Sequence, residues 1–399
     1  MASFLEDHLT FNQNNESPDY FHIWSGVWAI ACQLGKRVWL SQGYQDVFPN
    51  NYICLVGPSA LVRKSAAKNV AFGLLEDADP PMIVLPQKCT TEFFINRMLT
   101  GVRAEEVDGR LRTFTVPAVV CADELSSLIS QATKMSGIAE LLNTCYTCPR
   151  VYDSGTMLRG EETIPDPCIN LLACTTTTWL KKNMGKDILE EGFFGRFIWI
   201  FQSTRARKIP RPVVTPELVK IRQTLVGRLV RYQSISGEMF LTEQAGVVYD
   251  NWYNSLETSR NAIIDAFIGR IHEHALKTAM CISVGCGEFP NITDHHMGVA
   301  IDLVMVVLKY LPEVADSLDE DGETNVRILV VETIRKQGRR MENGYEYGHS
   351  DLVKYLWRKP GCTTPLLKDA LAYLEQTGLI KSRRDKKKTI WVLLDQPKE

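Results

Sequence analysis

Between residues 52 and 201 short apolar runs alternate with longer amphipathic ones, and this alternation constrains the fold more than any other feature of the chain. The runs at 52–56, 82–85, 118–122, 169–174 and 197–201 are rich in β-branched residues and too short for helices. The intervening stretches at 65–75, 91–99, 136–146 and 178–184 carry helical periodicity. Apolar strands separated by helices imply an α/β fold with a mainly parallel sheet covered on both faces. Such sheets bind ligands beyond the C-terminal ends of their strands. Residues at those ends are therefore the first candidates for chemistry.

The first strand belongs to the stretch NYICLVGPSALVRKS, residues 51–65. Its apolar run breaks at Gly57-Pro58, and Arg63-Lys64-Ser65 heads the next helix. This is the layout of a phosphate-binding loop: backbone N–H groups and a helix N-terminus hold phosphates, a lysine reaches the outer phosphates, and a serine hydroxyl meets Mg²⁺. Gly57, Pro58, Ser59, Arg63, Lys64 and Ser65 are the candidate nucleotide-binding residues, with Ser65 also at the metal. The spacing departs from G-x-x-x-x-G-K-[ST], because Gly57 lies one position early and Arg63 stands where the second glycine belongs. Ala60-Leu61-Val62 also lacks a loop glycine, which reduces the freedom for positive φ.

The run PAVVCADE, 117–124, ends in two adjacent acids. Asp123 there can hold Mg²⁺ through water and Glu124 can orient or deprotonate an attacking water; the alternative is a helix cap ahead of ELSSLIS. The preceding strand, MIVLPQK, supplies no acid, which favours an AAA+-like arrangement over a RecA-type core. CINLLACTTTT places Thr175 and Thr176 at a strand end, where either can touch a γ-phosphate or its water, or cap the next helix. Between these strands, RVYDSGTMLRGEETIPDP reads as a β-hairpin with Arg159 at its tip, projecting into a central channel or lying as a surface ribbon. Arg196 heads the last strand after a Gly-Phe turn, a place from which it could act as a finger on a neighbouring subunit's nucleotide.

A chain of 399 residues, 45% hydrophobic and 23% charged, is long enough for two or three cores and is neither disordered nor fibrous. Its net charge of -2 argues against a uniformly basic coat, but residues 324–399 hold 16 Lys and Arg against 9 Asp and Glu. Helical patterns at 324–337, 349–357 and 364–376 precede LIKSRRDKKKTIWVLLD, a hairpin carrying Lys381, Arg383, Arg384, Lys386, Lys387 and Lys388. Three helices and a basic hairpin form a winged-helix pattern that can contact DNA, or serve protein contacts alone. The Pro-rich 203–216 and the acidic 318–324 mark boundaries. They divide the chain into a helical collar (1–50), a core (51–211), a helical lid (212–317), a linker (318–323) and the winged helix (324–399). Eleven cysteines scattered through apolar segments fit free thiols in a reducing compartment. No run reaches the roughly 18–20 apolar residues of a membrane span, so a cytoplasmic location without membrane contact is expected.

With these residues in place, the chain resembles P-loop ATPases of phages and mobile genetic elements that accompany primase modules. The resemblance covers residues 4–311 and rests on FLEDHL, SPDYFHIWSGVWAIACQLGKRVWL, FPNNYICLVGPS followed by RKS, VVCADE, LLACTTTTWL, GFFGRF and RIHEHALKTAM. Members of that family also use Arg-Lys-Ser/Thr at the loop. RIHEHALKTAM is further similar to the lid segment of MCM-type AAA+ helicases, which implies Arg270 as a second residue acting on a neighbour's nucleotide. The resemblance implies an AAA+-like P-loop NTPase core with ATP and Mg²⁺ as cofactors. It implies a ring-forming, hexameric DNA helicase on single-stranded or forked DNA, with a primase or polymerase as partner, in a bacterial host's cytoplasm. The rival expectation is a DNA-binding initiator or regulator whose AAA+ fold is a nucleotide switch or is inactive.

Overall fold

The computed structural model describes residues 3–107, 110–129, 137–156, 160–183, 192–259, 261–318, 322–341, 344–357, 362–385 and 388–394. The chain divides into two compact units, Met1–Ala315 and Asp316–Glu399.

The first unit is built on a five-stranded, all-parallel sheet: β1 (Tyr52–Val56), β2 (Ile83–Leu85), β3 (Ala118–Ala122), β4 (Ile169–Thr175) and β5 (Phe197–Phe201). Every residue of β1, β3 and β4 is buried, which is why these strands read as apolar runs, broken only by Asn170 in β4. The spatial order is β5-β1-β4-β3-β2. The chain therefore leaves β1 in one direction across the sheet, toward β2, and leaves the adjacent β4 in the other, toward β5. Ligand crevices form where neighbouring strands diverge in this way, here at the C-terminal ends of β1 and β4.

The N-terminal segment, expected as a collar, is an inner layer of this unit. Helix α1 (Asp19–Leu34) is apolar on all sides, with Phe21, Trp24, Trp28 and Leu34 fully buried. A helix of that kind is stable only inside a core, and α1 packs on β4 and on helix α2 (Lys64–Ala78). The segment expected as a lid is likewise continuous with the core. Strand Gly237–Leu241 pairs in parallel with Val38–Ser41, and helix α3 (Ala262–Cys286) packs on α1 and on the turn Phe194–Arg196.

An antiparallel pair, Val151–Thr156 with Gly160–Pro165, precedes β4 as the sequence suggests. A second pair, Val102–Val107 with Arg110–Thr115, precedes β3 and was not expected. Its signal is in the sequence: Asp108-Gly109 flanked by alternating residues is a strong hairpin pattern.

The second unit holds helices Gly322–Gln337, His349–Leu356 and Thr364–Gln376 with a four-stranded antiparallel sheet that includes Ile380–Asp385 and Lys388–Leu394. Val330, Ile334, Leu352, Leu356, Ala370 and Ile380 lie in its core. Strands Arg339–Met341 and Gly344–Gly348 are additions to the sequence reading. Among the described residues, no helix is long and apolar enough to cross a membrane.

Three of the first unit's buried histidines should make it acid-sensitive. Burial pushes His8 down to about 4 and His22 and His274 down to about 3, from an ordinary 6.5. A depressed histidine pKa means the unfolded chain takes up the proton first. Stability is complete above pH 6.5 and falls as pH drops toward 4 and 3. Each histidine should remove about 2 kcal/mol by pH 5. Urea midpoints measured from pH 7.5 to 5 should fall steeply, and His22→Leu should flatten the slope; a pH-independent midpoint would contradict this account.

Candidate functional site

At the C-terminal edge of the sheet, β4 stands between β1 and β3, with Val56 beside Thr175 and Ala173 beside Ala122. The backbone N–H of Gly57 donates to the carbonyl of Thr175 at 3.3 Å. On the other side β3 ends at Ala122, so Asp123 and Glu124 follow at the same edge of the sheet. Neighbouring strands lie about 4.8 Å apart, so the loop and the acidic pair flank Thr175 within roughly 10 Å. Three sequence candidates from distant segments thus share one strand-end cluster.

Gly57 has no alternative residue: a Cβ there would sit 2.3 Å from the Gln202 carbonyl oxygen. Beyond it, Ala60 (φ 57°) and Arg63 (φ 51°) both occupy the left-handed region. The loop therefore adopts the positive φ that its composition disfavours, at about 1 kcal/mol or more for each residue. Strain of this kind clusters at functional loops. Pro58, Ser59, Arg63 and Ser65 are exposed, whereas Lys64 is 8% exposed. Lys64 opens α2, and its Nζ donates to the carbonyls of Gly57 at 2.7 Å and Pro58 at 3.2 Å. Burial lowers its pKa, while Cys174 and Glu124 oppose that shift.

Both acids are exposed. Partial burial raises the Glu124 carboxyl above the usual range, the Lys64 charge opposing and Asp123 reinforcing. Glu124 and Lys64 thus feel one another's charge across the strand ends. The Asp123 carboxylate meets Lys68 Nζ at 3.2 Å, and Gln87 Nε2 donates to its other oxygen at 3.5 Å. Gln87 Oε1 in turn accepts from the Asp123 N–H at 3.0 Å. Lys68 and Gln87 are site residues that sequence reading missed. Lys68 lies one helical turn after Lys64, a spacing that puts both on one helix face. Burial disfavours the Lys68 charge, but Cys121 and Asp123 outweigh it and raise its pKa.

Thr175 is fully buried, and its hydroxyl has no hydrogen-bond partner among the described residues. Thr176 is committed locally: its hydroxyl accepts from the Trp179 N–H at 3.2 Å, capping the helix Thr177–Asn183. The helix-cap alternative therefore describes Thr176, while Thr175 keeps a free hydroxyl at the ligand edge.

Arg196 and Arg270 are not at this cluster. Arg196 precedes Phe197, which pairs with Tyr52 at the opposite end of β1, roughly 15–20 Å along the strands from Gly57. Its Nη1 donates to the Gly192 carbonyl at 2.8 Å. Arg270 bridges Glu273 at 3.5 Å and lies over the Tyr146 ring at 5.9 Å. Burial and then the Arg270 charge lower the Arg196 pKa. A cavity of ≈ 950 Å³ opens at this same far edge, lined by Lys36, Trp39, Phe48, Tyr146, Asp166 and Lys277 among others. It lies too far from the loop to serve a phosphate held there.

In the second unit, Lys381, Arg383 and Arg384 are exposed along one strand of the hairpin, and Arg383 is bridged to Glu346 at 3.0 Å. Lys388 opens the partner strand. Lys386, Lys387 and Arg159 lie outside the described residues.

The residues present fit a Mg²⁺-nucleotide. A strained loop, a helix-opening lysine, an exposed serine and an orphaned threonine hydroxyl surround one strand end. A Mg²⁺ ion here would be held by Ser65, Asp123 and phosphate oxygens, few protein ligands being usual for this ion. No protein-family model matches the chain, and comparison with curated proteins finds no match.

Proposed function

We propose that this protein is an ATP-hydrolysing, ring-forming DNA motor of the helicase type, with an AAA+-like P-loop core and a C-terminal winged helix. The observation that carries the reading is the convergence of Gly57, Thr175 and Glu124 on three adjacent strand ends, with β4 interposed between the loop-bearing and acid-bearing strands.

Loop amides, Lys64 and Ser65 hold the phosphates of ATP. Magnesium, when bound, neutralises phosphate charge in the transition state. Asp123 releases Lys68 to support that ion. Glu124 orients and deprotonates the attacking water, a task its raised pKa suits. Thr175 offers its hydroxyl to the γ-phosphate or the water. Arg196 lies too far away to act on its own loop and serves, with Arg270, the loop of a neighbouring subunit. Exposed Lys381, Arg383 and Arg384, with Lys386, Lys387 and Lys388 next to them in the sequence, contact DNA phosphates, and each such contact steepens the salt dependence of binding. A primase or polymerase is the partner class for such a motor.

One observation favours a nucleotide switch instead. Lys64 is turned onto the carbonyls of its own loop, and Lys68 occupies Asp123, which together describe a closed resting site. ATP turnover measured with and without single-stranded DNA separates the readings, alongside native mass with nucleotide. Turnover that rises with single-stranded DNA in an oligomer is expected of the motor. Binding without turnover would favour the switch, and absence of nucleotide binding would overturn both.

A further inference from the structure

The loop reaches its conformation without the glycines that normally permit it, and the surroundings of Arg63 account for this. Ser17, fully buried, donates its hydroxyl to the Arg63 carbonyl at 2.7 Å. The adjacent Glu16 accepts from Arg63 Nε at 3.0 Å through one carboxylate oxygen. Its other oxygen accepts from Arg205 Nη1 and from the Ile209 N–H, each at 3.0 Å. The Glu16 carbonyl also accepts from the Ala206 N–H at 3.2 Å.

Residues 16–17 are thus pinned to the segment that leaves β5, and they grip both the backbone and the side chain of Arg63. β5 and β1 are neighbours, joined at this edge by the Gln202 N–H to Val56 carbonyl bond of 3.0 Å. The bracket therefore stands on the same rigid sheet as the loop it holds. A glycine at 63 would need no such restraint, because it enters the left-handed region freely. An arginine there prefers other conformations, and something must hold it.

We propose that Glu16 and Ser17 form a latch that locks Arg63 in the left-handed conformation, replacing the missing second glycine and preorganising the loop for phosphate. Both are positioning residues, acting through Arg63. The latch requires an arginine or similar hydrogen-bonding side chain at 63 to engage Glu16. It also makes the loop responsive to movement of residues 203–209, since Arg205 and Ile209 hold Glu16 in place.

The nucleotide arm of the test rests on the phosphate-loop reading above; the exchange arm does not. Amide hydrogen exchange of residues 57–65 is followed in ligand-free protein, and Mg·ADP affinity is measured by calorimetry. Ser17→Ala, which leaves the Glu16 contacts to 205–209 intact, should speed loop exchange and weaken Mg·ADP by about tenfold, the effect of one lost hydrogen bond. Glu16→Ala should do at least as much. Adding Arg63→Gly to either variant should return loop exchange and affinity to those of Arg63→Gly alone, because glycine needs no latch. Unchanged loop exchange in both single variants, or double variants whose loop exchange differs from that of Arg63→Gly alone, would overturn the latch. Wild-type protein that binds no Mg·ADP would defeat the phosphate reading, while loop exchange would still decide the latch.

Discussion

Lys64→Ala is expected to weaken ATP binding by a hundredfold or more and to end turnover. Lys64 Nζ is the cation closest to the loop carbonyls, 2.7 Å from that of Gly57, and it is 8% exposed. A charge-assisted bond in so shielded a place is worth about 3 kcal/mol, which converts to a factor of roughly 150 in affinity. The variant should still fold, because the neutral carbonyls that Lys64 now caps lie beside the exposed residues 58–61 and can turn to water. Glu124→Gln supplies the contrast. It keeps the shape of an exposed side chain and removes only the base, so ATP should bind normally while turnover falls by about 10²–10⁴. Fluorescent-nucleotide titration and phosphate release measured on both variants would check this pair. Undiminished binding in Lys64→Ala would remove the lysine from the site.

Arg196→Ala should leave ATP binding within about twofold of wild type and reduce turnover by 10³ or more, the usual magnitude for a finger supplied in trans. Arg196 stands at the N-terminal end of β5, level with the start of β1, so the length of the sheet separates it from its own loop. Complementation distinguishes action in trans from a structural role. Lys64→Ala and Arg196→Ala should each be inactive alone, and mixing them should restore turnover, because a mixed ring contains interfaces that pair an intact loop with an intact arginine. Mixed oligomers confirmed by mass yet without turnover would sink the trans assignment.

The strands of the first unit were legible for a physical reason. β1, β3 and β4 are buried on both faces, so Asn170 of β4 is the one polar residue inside their apolar runs, and their limits in the structure fall within a residue of those in the sequence. The candidate residues at their ends were legible for the same reason: Gly57, Asp123 and Thr175 stand where apolar runs give way to polar or turn-forming residues. The N-terminal and helical segments were less legible as layers. Their periodicity announces helices, but whether a helix forms a collar, a lid or an inner wall depends on what covers its apolar sides. Trp24 and Trp28 are as apolar in a collar as in a core.

Local pattern carries the α/β character of the first unit, the order of its strands along the chain and the residues that close each strand, because local burial is written into it. Tertiary structure alone decided that β4 lies between β1 and β3, bringing Thr175 between the loop and the acids. It alone paired Asp123 with Lys68 and Gln87, and placed Arg196 at the far edge. It also decided that Glu16 and Ser17 would hold a non-glycine loop in a glycine's conformation. These are contacts between segments distant in the chain, set by which strands become neighbours, and no local periodicity carries that information.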